Sequence, residues 1–128
     1  IGDSVPLNLL EKGDLVAVFG GWGCGTCIYC KGGDEQMCIY AKWPGLSSFD
    51  GGYSEFILVP SYRFLIKVDK TKNNNTNPEN LAPLTDACLT PYRAIKKTKH
   101  LLVPGKSIAV FGLGGLGYCG PICKYSWR

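Results

Sequence analysis

Cys24, Cys27, Cys30 and Cys38 stand at gaps of two, two and seven residues. Thiolates grouped this closely can close on one metal ion, and four of them complete the tetrahedral set of a structural zinc site. The loop that carries them must turn back on itself repeatedly. Gly23, Gly25, Gly32 and Gly33 supply residues able to take positive φ there. Two other chemistries suit the same residue type. The cysteines could be small hydrophobes or disulfide partners, although core cysteines do not usually cluster with glycines and charges. Bacterial iron–sulfur proteins open with the same C-x2-C-x2-C run, but their fourth cysteine follows after three residues and precedes a proline. Here the last gap is seven and Ile39 follows. The spacing favours zinc.

A second stretch able to do chemistry is Gly112-Leu-Gly114-Gly115-Leu116-Gly117. A G-x-G-x-x-G run alone is weak evidence. Set directly after an apolar strand and opening a helix, it points to dinucleotide binding, because glycines allow a tight turn and close approach of a pyrophosphate. Gly112, Gly114, Gly115, Leu116 and Gly117 are the candidate cofactor contacts. A glycine-rich turn without a ligand is the plain alternative. The chain ends eleven residues after Gly117, so the acidic residue expected to grip the ribose is not in it. Gly120-Pro121 is expected to break the helix within its first turns.

The elements that must position these groups follow from pattern. Lys12-Gly13-Asp14 reads as a turn, and Leu15–Phe19 is an apolar run expected as a buried strand. Pro44-Gly45 and Asp50-Gly51-Gly52 are turn signals around a loop at Leu46–Phe49. Tyr53–Val59 is expected as a second strand, stopped by Pro60, and Arg63–Val68 as a third. Strands with glycine-rich turns suggest a small barrel-like β domain. Thr71–Asn77 is a polar connector. Asn77-Pro78-Glu79 then carries the signals of a helix start: an Asn cap, Pro in the first turn and an acid near the positive dipole end. Pro83 and Pro91 argue for a short helix followed by a second from about Thr90 to Lys99. Pro104-Gly105 is a turn and Ser107–Phe111 another apolar strand. The expected fold class is mainly β with α. The second part of a barrel domain occupies 1–70, with the metal lobe at 20–40. Connecting helices fill 71–103, and 104–128 begins a dinucleotide-binding domain.

Composition excludes several classes. The net charge is +4 and 45% of the residues are hydrophobic, ordinary for a globular protein. The one basic concentration, Arg93, Lys96, Lys97, Lys99 and Lys106 near His100, reads as a solvated helix face. No nucleic-acid recognition motif accompanies it. No apolar run is long enough for a membrane helix. Ile1-Gly2-Asp3-Ser4 lacks the basic start and apolar core of a signal peptide. Seven cysteines with metal-like spacing point to the reducing cytoplasm. The chain opens without Met and holds a single histidine, as a piece of a longer protein would.

In this order the pieces resemble the zinc-dependent medium-chain alcohol dehydrogenases. The residues that carry the resemblance are Lys12-Gly-Asp14, the four-cysteine lobe and Asp50-Gly-Gly-Tyr-Ser-Glu-Phe56. Ala82-Pro-Leu-Thr-Asp-Ala-Cys-Leu-Thr-Pro-Tyr-Arg-Ala94 and the strand leading into Gly112–Gly117 complete the set. The resemblance implies a GroES-like catalytic domain running into a Rossmann domain. It implies hydride transfer between a small alcohol or carbonyl substrate and NAD or NADP, and a homo-oligomer when complete. It also implies a catalytic zinc held by two cysteines and a histidine. On that resemblance the first cysteine and the histidine would lie upstream of Ile1. The third ligand lies four residues before a threonine and six before a tyrosine. Counting back from Thr90 and Tyr92 reaches Asp86, whose carboxylate can ligate zinc. A local cap or turn carboxylate is the other reading of Asp86. Cys88 stands where the family usually has glycine and reads as a small buried hydrophobe. Trp22 and Trp43 flank the lobe, where similar enzymes build apolar walls of the substrate pocket; packing is the other reading for both. Cys119 and Cys123, four apart, could share a helix face and receive no function. Tyr118–Arg128 looks unlike the helix of the family, as a frameshift would leave it. The expected protein is a fragment of such a dehydrogenase, inactive alone. The reading from another class is a stand-alone four-cysteine metal module without catalysis.

Overall fold

Leu15–Phe19 finds its hydrogen-bonding partner far along the chain. In the computed structural model, which describes residues 1–46, 49–69 and 77–125, β1 (Val16–Val18) pairs antiparallel with β2 (Leu65–Lys67). The register sets Val16 opposite Lys67, Ala17 opposite Ile66 and Val18 opposite Leu65. Phe19 N–H to the Phe64 carbonyl (2.8 Å) and Val68 N–H to the Leu15 carbonyl (2.9 Å) extend the ladder at either end. The Lys12-Gly13-Asp14 turn feeds β1. Gly13 takes φ +94°, a conformation that favours glycine. Asp14 accepts from Glu11 N–H at 2.7 Å and pairs with Lys67 at 2.8 Å. That pair raises the Lys67 pKa, mainly through its hydrogen bond to Asp14.

The chain divides into two compact units, residues 1–74 and 75–128. The core of the first is built around Trp22, 2% exposed, with Phe64 and Cys38 also buried. The Trp22 indole stacks on Phe64 (ring centroids 6.0 Å apart) and meets Phe49 edge-on at 5.8 Å. Its Nε1–H donates to the Phe19 carbonyl at 2.7 Å, so the one polar atom of the ring is satisfied inside the core. Its backbone exchanges both hydrogen bonds with Lys42.

Three strand expectations are corrected. Arg63–Val68 starts as a 3-10 turn, Tyr62–Phe64, capped by the Ser61 hydroxyl, and becomes a strand only at Leu65. Tyr53–Val59 and Ser107–Phe111 form no strand. Both have strand-like side-chain patterns. A strand, however, requires a neighbour to complete its hydrogen bonds, and neither stretch has one among the described residues. The side chains show the same thing, with Tyr53, Phe56, Leu58 and Phe111 largely exposed. The expected barrel is therefore represented, among the described residues, by one two-stranded sheet and the Trp22–Lys42 bridge.

In the second unit, Asn77 caps α2 (Pro78–Leu81), its side-chain oxygen accepting from Glu79 N–H at 3.1 Å. The connector residues 71–76, Ser47 and Ser48 of the expected loop, the last three residues and the Cys123 side chain lie outside the described residues. A 3-10 turn, Ala82–Thr85, absorbs Pro83. Next comes α3 (Leu89–Thr98), with Pro91 in its first turn, where no intrahelical N–H is needed. Lys96 and Lys97 sit at its negative end and Ile95 is its buried residue. Against it packs α4 (Gly115–Tyr125). Here a further expectation is corrected, because α4 runs through Gly120-Pro121. The ring removes one backbone donor, and the rest of the ladder carries the helix past it.

Candidate metal centre

The cysteine lobe is built from backbone turns. Cys27 caps α1 (Ile28–Lys31), a single turn that brings Cys30 back beside it. A 3-10 turn, Glu35–Met37, then returns the chain to Cys38. One ligand atom from each of Cys24, Cys27, Cys30 and Cys38 lies within 4.8 Å of all the others. Cys24 Sγ and Cys30 Sγ are 3.9 Å apart. Tetrahedral zinc with Zn–S near 2.3 Å sets its sulfurs about 3.8 Å apart. The four thiols fit a single ion with little rearrangement. A multi-iron cluster interposes several atoms between its cysteines and needs them spread wider.

Backbone N–H groups converge on these sulfurs. Cys27 N–H donates to Cys24 Sγ at 3.4 Å and Cys30 N–H to Cys27 Sγ at 3.5 Å. Cys38 Sγ accepts from Cys24 N–H at 3.5 Å and from Tyr40 N–H at 3.3 Å. The Thr26 hydroxyl lies 3.4 Å from Cys24 Sγ. Donors aimed at a sulfur favour its thiolate. They hold Cys24 down to about 5, the Thr26 hydroxyl contributing most and the Thr26 and Cys27 backbone next. Cys30 goes the other way, to about 12: desolvation pushes it up, and its cysteine neighbours add to the rise against a backbone hydrogen bond from Gly25. Four adjacent sulfurs cannot all ionise by themselves. A divalent cation is what would let them.

Glycine is required twice in the lobe by space. A Cβ on Gly23 would stand 2.6 Å from Cys30 Sγ. Gly25 takes φ +80°, and a Cβ there would run into the Arg63 guanidinium. Arg63 itself donates to the Gly23 carbonyl and pairs with Glu35 at 3.3 Å. It ties the start of the lobe, and the 3-10 turn before Cys38, to the segment leading into β2. The sequence reading missed Arg63, since nothing in the spacing marks a residue so distant from the cysteines.

Trp22 is a core residue of the first unit, whereas Trp43 is 38% exposed. In the second unit, Gly112 takes φ +91°, and a Cβ on Gly117 would collide with the Gly112 carbonyl. The turn therefore needs its first and last glycines where the motif has them. Gly114 accepts from Tyr118 N–H at 2.9 Å as α4 begins. Asp86 is exposed, and its backbone carbonyl accepts from Thr90 N–H at 3.1 Å at the start of α3. Among the described residues the four cysteines form the only group of three or more metal-ligating side chains, and Asp86 is outside it. The Cys88 sulfur turns instead to Cys119, 2.7 Å away. The sequence reading left both without a role.

Residues 2–70 match the family model of the alcohol dehydrogenase GroES-like domain. The chain belongs to this family. It is 41% identical over 105 residues to the NAD-dependent alcohol dehydrogenase of Saccharolobus solfataricus, covering 82% of this chain and 28% of the relative. It is 37% identical over 112 residues to the D-arabinose 1-dehydrogenase (NADP(+)) of the same organism, covering 86% and 30%. Among solved structures, the alcohol dehydrogenase from the hyperthermophilic archaeon Aeropyrum pernix superposes with a TM-score of 0.76 at 38% identity. That match covers 94% of this chain and 33% of the other. This GroES-like chain thus spans about a third or less of the length of these relatives. No helix among the described residues is long and apolar enough to cross a membrane.

Proposed function

We propose that this chain supplies the metal lobe and the nucleotide-binding turn of a zinc-containing alcohol dehydrogenase. That enzyme would transfer hydride between a small alcohol or carbonyl substrate and NAD or NADP. The observation that carries the reading is the set of four mutually adjacent thiols inside the segment that matches the family. Cys24, Cys27, Cys30 and Cys38 would hold one structural zinc, whose role is to cross-link the lobe. Asp86 is the candidate ligand for a separate catalytic zinc, which as a Lewis acid would polarise the substrate oxygen. Its exposed carboxylate leaves it accessible for that role. Gly112, Gly114, Gly115, Leu116 and Gly117 would admit the cofactor pyrophosphate at the start of a Rossmann unit. Gly112 at positive φ and the close Gly112–Gly117 approach support this. Trp43 keeps surface with which to line a substrate pocket, while Trp22 supports the wall from within the core. One relative is NAD-dependent and another is an NADP(+) enzyme, so the glycine turn would admit either nicotinamide cofactor.

The 128 residues by themselves are expected to bind zinc and not to turn over alcohols, because Asp86 has no companion ligands among the described residues. Elemental analysis of the purified chain tests the first half, with one equivalent of zinc expected. Iron with visible charge-transfer absorption would overturn it. Calorimetric titration with NADH and NADPH, with an alcohol panel assay, tests the second half. Turnover there would mean that a partner chain completes the site. One zinc with no cofactor binding, in a chain joined to its full-length neighbours as well, would favour the stand-alone metal module.

A further inference from the structure

We propose that Cys88 and Cys119 form a reversible disulfide that clamps α3 to α4, with a low-molecular-weight disulfide such as oxidised glutathione as the oxidant. The two sulfurs lie 2.7 Å apart across the contact between the helices, on residues 31 apart in sequence. Cys119 is buried and Cys88 half-buried, and neither belongs to the four-cysteine group. The separation distinguishes bond formation from metal binding. Two thiolates on one zinc would stand about 3.8 Å apart, and on opposite sides of a linear ion farther still. A disulfide needs about 2.05 Å. The pair is already inside the metal-bridging distance, and a small approach of the side chains completes the bond.

Exposure sets the order of events. The Cys88 thiolate attacks the small disulfide, forming a mixed disulfide and releasing one thiolate of the reagent. The Cys119 thiolate, shielded from the reagent but beside Cys88, then attacks the Cys88 sulfur and releases the second. One S–S bond breaks in the reagent and one forms in the protein. The two cysteines are oxidised by two electrons in total. Their two protons pass through solvent to the two departing thiolates, which leave as thiols. A reducing thiol pool runs the sequence backwards. Cys88 is the N-cap residue of α3, two residues after Asp86, and Cys119 lies one turn into the helix that follows the glycine turn. The bond would tie the segments on either side of α3 and α4 into one piece.

The test uses the full zinc-loaded chain equilibrated in glutathione buffers from mostly reduced to mostly oxidised. Free thiols are then alkylated and the chain digested with trypsin. The expected product joins the peptide containing Cys88 to the one containing Cys119 and Cys123, two hydrogens lighter than the separate peptides. Fragmentation at Gly120–Pro121 identifies which sulfur is linked. Linkage at Cys119, retained in Cys123→Ser and several-fold more abundant in the folded chain than in urea, supports the clamp. The wild-type map decides the matter even if Cys119→Ser does not fold. Linkage to Cys123, glutathione adducts on Cys88 without internal bonding, or a yield equal to that in urea would each overturn it.

Discussion

Among the described residues, two groups of sulfurs sit close enough to react, and they are held in different ways. The four in the lobe are brought together by a short stretch of backbone. Turns at Gly23 and Gly25, the single helical turn α1 and a 3-10 turn place them within 4.8 Å of each other while leaving Cys24 exposed. Peptide N–H groups aimed at the sulfurs prepare them for charge. The pair in the helical unit is brought together by packing. Cys88 and Cys119 meet because α3 lies on α4. A site built for a cation surrounds sulfur with hydrogen-bond donors and keeps the sulfurs apart at the ligand spacing. A site built for a covalent bond needs only proximity. The two arrangements therefore respond to different perturbations.

The perturbation with the largest expected effect is loss of a lobe ligand. Structural zinc in small thiolate sites contributes about 10–16 kcal/mol of binding free energy that is coupled to folding. Cys30→Ser is expected to drop zinc from one equivalent to a trace after gel filtration. Amide exchange should become fast across residues 22–42 and stay unchanged in α3 and α4. Retention of full zinc by the variant would show that the cysteines are not acting as a closed four-ligand set.

Next in size is Trp22→Ala. Removing a buried tryptophan costs about 3–5 kcal/mol through lost burial and the cavity left behind. The indole, 2% exposed, also satisfies the Phe19 carbonyl. The urea midpoint of the first unit should fall accordingly with zinc saturating. A loss below about 1 kcal/mol, too small for a filled core position, would mean that the Phe49 and Phe64 contacts are not those of the folded protein in solution.

These two regions also differ in how far their sequence declares them. The lobe was legible because its information is local. Four ligands within fifteen residues, separated by glycines, fix both the chemistry and the turn-rich backbone. The Asn77-Pro78-Glu79 helix start and the following helix were legible for the same reason, as cap and proline rules act within one turn. The strands were less so. Leu15–Phe19 and Arg63–Val68 find each other, but Tyr53–Val59 and Ser107–Phe111 have strand-like side chains and no hydrogen-bonding neighbour among the described residues. A side-chain pattern reports what a segment would bury, not whether a partner is at hand. Pro121 misled in the other direction: the rule against interior proline states a cost, and α4 bears it. Arg63 and the Cys88–Cys119 contact were invisible for a third reason. Each joins residues more than thirty apart, or nearly so, through packing that no spacing encodes.

Gly25→Ala probes the lobe more gently. Holding a non-glycine residue in the left-handed region costs about 1–2 kcal/mol. At φ +80° the new methyl would also displace the Arg63 guanidinium from its place over the loop. Zinc affinity should fall about 10–100-fold, the usual effect of disturbing groups that support a ligand set. A competition titration against a chelator measures this directly. Arg63→Lys should give a smaller loss in the same direction, because an ammonium cannot serve the Gly23 carbonyl and Glu35 with the same planar fork. If Arg63→Lys weakened zinc more than Gly25→Ala, the arginine rather than the loop backbone would be the principal support.

The smallest expected effect lies at the start of the helical unit and bears on the other side of the comparison. Asn77 accepts from Glu79 N–H at 3.1 Å, and its amide donates to the Glu79 carboxylate at 3.2 Å. An N-cap of this type is typically worth about 0.5–2 kcal/mol. The helix it caps, α2, is only four residues long. Few hydrogen bonds propagate from the cap, so Asn77→Ala should cost near the lower end, about 0.5 kcal/mol. Asn77→Asp should restore most of it, since a carboxylate oxygen also accepts from the first-turn N–H and suits the positive end of the helix. Neither change should alter zinc content, and both should leave the oxidative pairing of Cys88 with Cys119 at its wild-type yield. That pairing depends on α3 lying against α4, and the cap sits before both. A marked drop in cross-linked product on Asn77→Ala would show instead that α2 and the turn after it help hold Cys88 in place. The sulfur pair would then be a property of the whole helical unit rather than of two packed helices.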